Sequence, residues 1–237
     1  MRIYSDSHNN YGAPKITRIL KNQGLAISEK TVGNYMRQMG IRAQWIRSKP
    51  KSAAVVTDSE IKNILKQNFN PKSPNTAWCS DITYIWTTQG FVYLTSVMDL
   101  YSRKIIGWSL SKDLSAKAVV SALIKAKNCR KLDKPLIIHS DRGCQFLSSD
   151  YLKATEKLQR SYSKKAYPWD NACIEAFHSL IKREWLNRFR ILDFNHAYTL
   201  VFEYIETFYN TVRIHSHCDF LSPNDFEKLL FSNCTFS

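Results

Sequence analysis

Three apolar runs rich in β-branched and aromatic residues follow one another closely in this chain: Thr76–Trp86, Gly90–Asp99 and Lys104–Leu110. Only Thr87-Thr88-Gln89-Gly90 and Leu100–Arg103 connect them, and connections this short predict an antiparallel meander. Downstream the pattern alternates. A helix is expected over Ser115–Lys127, with Val119, Ala122, Leu123 and Ala126 inward, then a buried strand over Pro135–His139 that ends in Ser140-Asp141. A helix near Ser149–Leu158, a short strand near Ser161–Ser163, and long helices near Asn171–Leu186 and Asn195–Val212 complete it. That order predicts an α/β fold, a mixed sheet with flanking helices.

Upstream of the strands the period is helical. Pro14–Gln23 sets Ile16, Ile19 and Leu20 on one face, and Gly24 ends it. Ser28 caps a second expected helix with Val32, Tyr35, Met36 and Met39 as its apolar face and Gly40 as its stop. Two short helices joined by a Gly-containing turn fit a small all-α helix-turn-helix domain, with Lys30, Thr31, Asn34, Arg37 and Gln38 outward. A plain helical hairpin with a solvated basic face fits the same pattern. Charge bears on the choice. The net charge is +14; residues 1–57 carry ten Lys+Arg against two Asp+Glu, and residues 58–237 carry 24 against 18. Such an excess favours a polyanionic partner, and nucleic acid comes before a membrane surface because no lipidation motif or amphipathic basic tail is found. The chain divides accordingly into a helix-turn-helix DNA-binding region (1–43), a basic linker (44–72) and the α/β domain with its C-terminal helices (73–237).

None of the six cysteines forms a CxxC pair, no stretch resembles a signal peptide, and no apolar run approaches the roughly 18 residues of a membrane span. The expected setting is the reducing cytoplasm, with free thiols.

Two aspartates stand out. Asp81 lies inside the first strand, where an unneutralised carboxylate is costly. Asp141 ends the strand formed by Leu136, Ile137 and Ile138, the place where sites form in parallel sheets. In a ribonuclease H-like order the first and fourth strands are parallel neighbours, which would set these two side by side. Glu175 lies in the first turns of a helix whose core face is Ile174, Phe177, Ile181 and Trp185, with Asp170 or Asn171 as cap. Glu175, His178 and Lys182 mark the adjacent face. Three convergent carboxylates need bridging cations, and hard oxygen donors suit Mg²⁺ or Mn²⁺, as a pair of ions about 3.5–4 Å apart. On spacing alone, a salt-bridged strand Asp and a Glu offsetting the helix dipole remain open readings.

The motifs around these residues resemble the IS3 family of insertion-sequence transposases. They are Trp78-Cys79-Ser80-Asp81-Ile82-Thr83-Tyr84-Ile85, Asp99-Leu100-Tyr101-Ser102-Arg103 with Ile106-Gly107-Trp108, and His139-Ser140-Asp141-Arg142-Gly143-Cys144-Gln145-Phe146. They continue with Trp169-Asp170-Asn171-Ala172 before Glu175 and Lys182-Arg183-Glu184, then Tyr209-Asn210, Arg213, His215 and Leu221-Ser222-Pro223. Tyr11-Gly12 and the segment Ser28 to Gly40 resemble the upstream helix-turn-helix. The resemblance implies a ribonuclease H-like integrase core of the DDE type. It also implies metal-dependent cleavage and strand transfer at insertion-sequence ends, with Asp81, Asp141 and Glu175 as metal-binding triad and Lys182 as the basic residue after the Glu. The implied partners are double-stranded DNA at terminal repeats and target, further copies of the chain on that DNA, and the product of an upstream overlapping frame. This sequence departs from the pattern in the 33 residues between Asp141 and Glu175, a shorter spacing than usual, and in Gly33 inside the expected recognition helix.

Arg142 and Gln145, beside Asp141, are candidate DNA contacts or solvent-exposed loop residues. His139 is expected to pack or to support the site, and Trp169 either to stack on an unpaired base or to lid the helix start. His215, His217 and Cys218 match no closed zinc site. Two other readings stay open: a ribonuclease H-like nuclease, and an impaired copy acting as a DNA-binding regulator.

Overall fold

The meander forms where the short connections require it. In the computed structural model, which describes residues 2–43, 62–164 and 167–233, it comprises β1 (Ala77–Thr87), β2 (Gly90–Asp99) and β3 (Ile105–Ser111), paired antiparallel. Gly90 turns the first hairpin at φ +115°, a left-handed conformation that glycine adopts without a Cβ penalty. Arg103 turns the second at φ +61° and is held there by its guanidinium, which donates to the carbonyls of Leu100 and Phe69 and to Asn70 Oδ1. After α4 (Ala116–Asn128), β4 (Ile137–Ser140) joins β1 in parallel. α5 (Ser149–Ala154) then leads to β5 (Gln159–Tyr162), parallel to β4, and the sheet order is β3-β2-β1-β4-β5. This is the mixed, ribonuclease H-like sheet that the element order predicts.

Strand alternation sends successive side chains into two cores. Trp78, Val97, Ile106 and Ile138 pack with Val119, Ala122 and Leu123 of α4. Cys79, Leu94, Met98 and Trp108 pack on the other face with α6 (Ala172–Glu184) and α7 (Phe194–Phe202). Gly107 lets β3 and α4 touch: a Cβ there would lie 2.3 Å from the Ala122 carbonyl oxygen and 2.7 Å from the Ala126 nitrogen.

Two expectations shift. The helix near Ser149–Leu158 stops at Ala154, where Thr155 donates back to the Tyr151 carbonyl and Arg160 covers Leu152 O. The helix expected over Asn195–Val212 is α-helical only to Phe202 and continues as a π-helix over Glu203–Tyr209; the wider turn brings Tyr204, Ile205, Phe208 and Tyr209 all inward. A final helix, α8 (Pro223–Asn233), follows.

At the N-terminus, α1 (Arg2–Asp6) precedes α2 (Ala13–Asn22) and α3 (Glu29–Gln38), and Ser28 Oγ caps α3 by accepting the Thr31 N–H at 3.1 Å. Val32 and Met36 are buried, but Tyr35 and Met39, expected on the same apolar face, are 53% and 46% exposed. This region is docked on the α/β domain. Tyr4, Tyr11, Ile16, Val32 and Met36 belong to the same buried cluster as Trp185 and Phe208. Asn10 donates to the Glu184 carbonyl at 3.1 Å, Tyr11 Oη accepts the Ile214 N–H at 2.9 Å, and Arg188 donates to His8 O and Asn10 Oδ1. Of the expected linker 44–72, residues 44–61 lie outside the described residues. Its last part is tied to β5, since Ser161 Oγ accepts the N–H groups of Ile64 and Leu65 and the Lys62 carbonyl accepts from Tyr162.

Candidate active site

The parallel register of β1 and β4 ends with Ser80 opposite Ser140, so Asp81 and Asp141 follow at adjacent positions where both strands leave their pairing. Both line a pocket of about 200 Å³, together with Ile82, Tyr84, Tyr93, Leu114 and Gln145 among others. Asp141 Oδ1 accepts the Gly143 N–H at 2.9 Å. Burial, and then the negative charge of Asp81, push the Asp141 carboxyl above its ordinary pKa against the pull of that N–H. A Cβ on Gly143 would stand 3.0 Å from the same oxygen, so the loop keeps clear of the carboxylate by having none.

Asp81 is oriented from the opposite side. Its Oδ2 lies 3.4 Å from His178 Nδ1 on α6, and His178 Nε2 meets Ser96 Oγ at 3.3 Å. Ser96 is the register partner of Asp81 across β1 and β2, so one imidazole spans a cross-strand pair. The sequence placed His178 beside Glu175 on the helix surface but attached no role to it; the i,i+3 spacing was the available signal.

Glu175 is exposed, one turn before His178 on α6, and is not among the residues lining the Asp81–Asp141 pocket. Among the described residues, no three His, Cys, Asp or Glu side chains stand close enough together to hold one metal ion. Lys182, one turn beyond His178, places Nζ 4.4 Å from the Tyr84 ring centroid. The helix has Asn171 at its N-cap without a side-chain cap. Asp170 is instead buried and accepts from Asn63 Nδ2, Gln67 Nε2 and the Lys164 N–H.

The loop after Asp141 is anchored at both of its candidate contact residues. Arg142 Nε donates to the Ser163 carbonyl at 2.8 Å, and Gln145 Nε2 to the Leu114 carbonyl at 3.3 Å. His139 is fully buried, with Nδ1 2.9 Å from Ser161 Oγ and Nε2 3.1 Å from Ser163 Oγ; burial lowers its pKa to about 4, so it joins β4 to β5 as a neutral ring. Trp169 is 67% exposed. His217 and Cys218 are engaged with the carbonyls of Tyr101 and Ser102, and His215 Nδ1 accepts the His217 N–H. On α3, Lys30, Asn34 and Arg37 are exposed and Thr31 half-buried, with Arg37 Nη2 donating to Asn34 Oδ1 at 2.8 Å. The five described cysteines are free, and among the described residues no helix is long and apolar enough to cross a membrane.

The two carboxylates at the pocket offer oxygen donors, and the cost of ionising Asp141, from burial first and then from the Asp81 charge, is what a bound divalent cation relieves. As a pair the carboxylates suit a hard cation such as Mg²⁺ or Mn²⁺, with Glu175 standing outside the pocket they line.

Comparison with known proteins agrees with this architecture. Two models described as integrase core domains match residues 71–167 and 156–223, and an HTH-like domain matches residues 1–49. The chain is similar to the transposase for insertion sequence element IS904 of Lactococcus lactis subsp. lactis, with 38% identity over 229 residues, 95% of this chain and 90% of that protein. It is equally similar to transposase InsF for insertion sequence IS3A of Escherichia coli K12, with 38% identity over 231 residues, 96% of this chain and 80% of that one. Among solved structures, a simian T-cell lymphotropic virus intasome chain aligns with TM-score 0.52 and 15% identity over 95% of this chain and 73% of that one. The BIV integrase catalytic core aligns with TM-score 0.50 and 14% identity over 69% of this chain and 99% of that one. These two likenesses concern the fold alone.

Proposed function

From the premise that this chain belongs to the IS3 family of insertion-sequence transposases, with an integrase core, we propose that it cleaves DNA at insertion-sequence ends and transfers the strand. Asp81 and Asp141 are the residues proposed to hold the divalent cation. The observation that carries this is their adjacency just past the paired stretch of two parallel strands, Asp81 within β1 and Asp141 at the end of β4, in one pocket. Glu175 is proposed as the third ligand. It shares a helix face with His178, whose ring touches Asp81, which supports its approach from α6.

A divalent pair bound there supplies positive charge to a displacement at phosphorus. The chain's own residues do the rest. The Gly143 N–H holds one oxygen of Asp141, and His178 holds Asp81 against rotation. Lys182, two turns after Glu175, offers a point charge to a backbone phosphate. The α2–α3 unit, with Lys30, Thr31, Asn34 and Arg37 on its second helix, is proposed to grip duplex DNA, and Arg142 and Gln145 to lie along the strand at the pocket. Residues 1–43 are then the anchoring region, 44–72 the connector and 73–237 the catalytic part. A multimer on paired DNA ends, with the upstream-frame product as a further partner, completes the reading.

The test is a joining assay with labelled DNA carrying the flanking element end, in Mg²⁺ or Mn²⁺, with Asp81→Asn and Glu175→Gln beside the unaltered chain. Joined product that falls at least about 100-fold in both variants is the expected result, as for loss of groups acting on the reaction itself. Undiminished product in Glu175→Gln overturns its place as a ligand. Binding without chemistry under either metal identifies a regulatory copy, and nicking without joining a nuclease.

A further inference from the structure

The outer face of the β1–β2 hairpin carries aromatic side chains that the proposed reaction leaves unused. Tyr84 and Trp86 are two residues apart and share a face, and Trp86 stands opposite Phe91 and Tyr84 opposite Tyr93 in the strand register. The Trp86 and Phe91 ring centroids are 4.8 Å apart at 72°, and those of Tyr84 and Phe91 5.3 Å apart at 79°. This edge-to-face packing orders the rings against one another without covering them. Trp86 remains 62% exposed, Tyr84 50% and Phe91 47%. Contiguous exposed aromatic surface of this kind is a candidate binding surface.

Its position says what it binds. β4 pairs with β1 only as far as Ser80, so among the described residues the edge of β1 from Asp81 onward has no strand beside it. The aromatic face and the aspartates meet at that open edge: Tyr84 and Tyr93 line the same pocket as Asp81 and Asp141. Lys182, over the Tyr84 ring, sets a cation at the junction. Aromatic faces beside a cation and a phosphate-handling pocket suit single-stranded nucleic acid, where every base has a π-face and the backbone a charge. A closed duplex presents phosphates and groove edges and has no free base face for such rings.

We propose that Trp86, braced by Phe91 and Tyr84, is a stacking platform for an unpaired base of the DNA strand that enters the Asp81–Asp141 pocket, a base beyond the nucleotide at the pocket itself because Trp86 lies five residues, about 16 Å, along β1 from Asp81. This rests on the DNA-cleaving reading above. Trp86 is a positioning residue that holds the strand at a distance from the reacting atoms.

The test compares two probes on the full chain in metal-free buffer: a blunt duplex, and the same duplex with a short unpaired tail containing 2-aminopurine. The unaltered chain is expected to bind the tailed probe roughly tenfold more tightly, the size of one base–aromatic stack, and to quench the 2-aminopurine. Trp86→Ala loses both effects while its affinity for the blunt probe stays, and Trp86→Phe keeps most of the preference. Equal affinity for the two probes in the unaltered chain overturns the platform, as does a Trp86→Ala variant that keeps the preference. A Trp86→Ala variant that lowers affinity for both probes alike, or that changes sedimentation without changing tail preference, also overturns it, the latter identifying the patch as a contact between copies. A chain that nicks DNA in Mg²⁺ but shows no tail preference sinks the platform alone. A chain that neither binds nor cuts either probe sinks the DNA reading with it.

Discussion

Glu184 and Arg213 form a buried pair with both guanidinium contacts at 2.7 Å, and the Tyr204 hydroxyl donates to the same carboxylate at 2.8 Å. Burial alone would raise the Glu184 pKa, but hydrogen bonds from Arg213 and its charge reverse this and hold it below the ordinary value. Breaking such a pair strands a buried charge, so Arg213→Met should cost about 3–5 kcal/mol in urea unfolding at neutral pH. The pH dependence follows from the sign. A carboxylate whose folded pKa lies below its unfolded one adds stability above the unfolded value, and that stability is lost as pH falls through the folded value. The stability gap between the unaltered chain and Glu184→Gln should therefore shrink below about pH 4, and a constant gap would disprove the coupling. At the proposed metal site, His178→Ala should lower metal-dependent nicking by about 10–100-fold while leaving the circular dichroism spectrum intact, as loss of an outer partner of a metal ligand does. Unchanged nicking would reduce the imidazole to packing.

Two glycines with opposite surroundings separate contact from propensity at the scale of elements. Gly107 sits where β3 meets α4, and an added methyl meets backbone at 2.3 Å. Gly107→Ala should destabilise by about 1–3 kcal/mol as the helix is forced away. Gly33 lies inside α3, and its added methyl would meet only Ala13 Cβ at 3.7 Å, ordinary contact. Gly33→Ala should stabilise by about 0.5–1 kcal/mol, the helix penalty of glycine removed. Denaturant midpoints of the two variants moving in the same direction would contradict this account. The π-helical turn of Glu203–Tyr209 has a comparable structural purpose. Tyr209 Oη donates to Arg103 O, and the Asn210 carboxamide pairs with both backbone groups of Ile105, closing the outer edge of β3.

Taken as one molecule, the N-terminal helices are not an independent bead. They share a buried cluster with the α/β domain, and Asn10, Tyr11 and Arg188 tie them to the end of α6 and the segment after the π-helix. The helices and the sheet should therefore unfold in one transition, with fluorescence and circular dichroism coincident. Asn10→Ala, which removes a buried partner of the Glu184 carbonyl, should shift that transition by about 1–3 kcal/mol. Two separate transitions in the unaltered chain would refute the shared core. The geometry matters for the proposed function because α3, proposed to grip duplex DNA, then has a fixed relation to the pocket at Asp81.

Much of this was legible in the residues alone, wherever the determining interactions are local. Four-residue connections between β-rich runs leave the meander little choice, periodicity placed α4 and α6, and Ser28 marked the start of α3. The pairing of Asp81 with Asp141 was legible too, because the order of elements implied that their strands run parallel. What only the tertiary structure decided depends on groups distant in sequence. His178 acquires its role from Asp81 and Ser96 on neighbouring strands, and Asp170 from residues 63–67. Tyr35 and Met39 looked like core because helical spacing shows which residues share a face but not whether another element covers it. The aromatic platform was hidden for the same reason: Tyr84, Trp86 and Phe91 have the composition of any half-buried hairpin. Only the end of β4 at Ser80 leaves them open beside the aspartates.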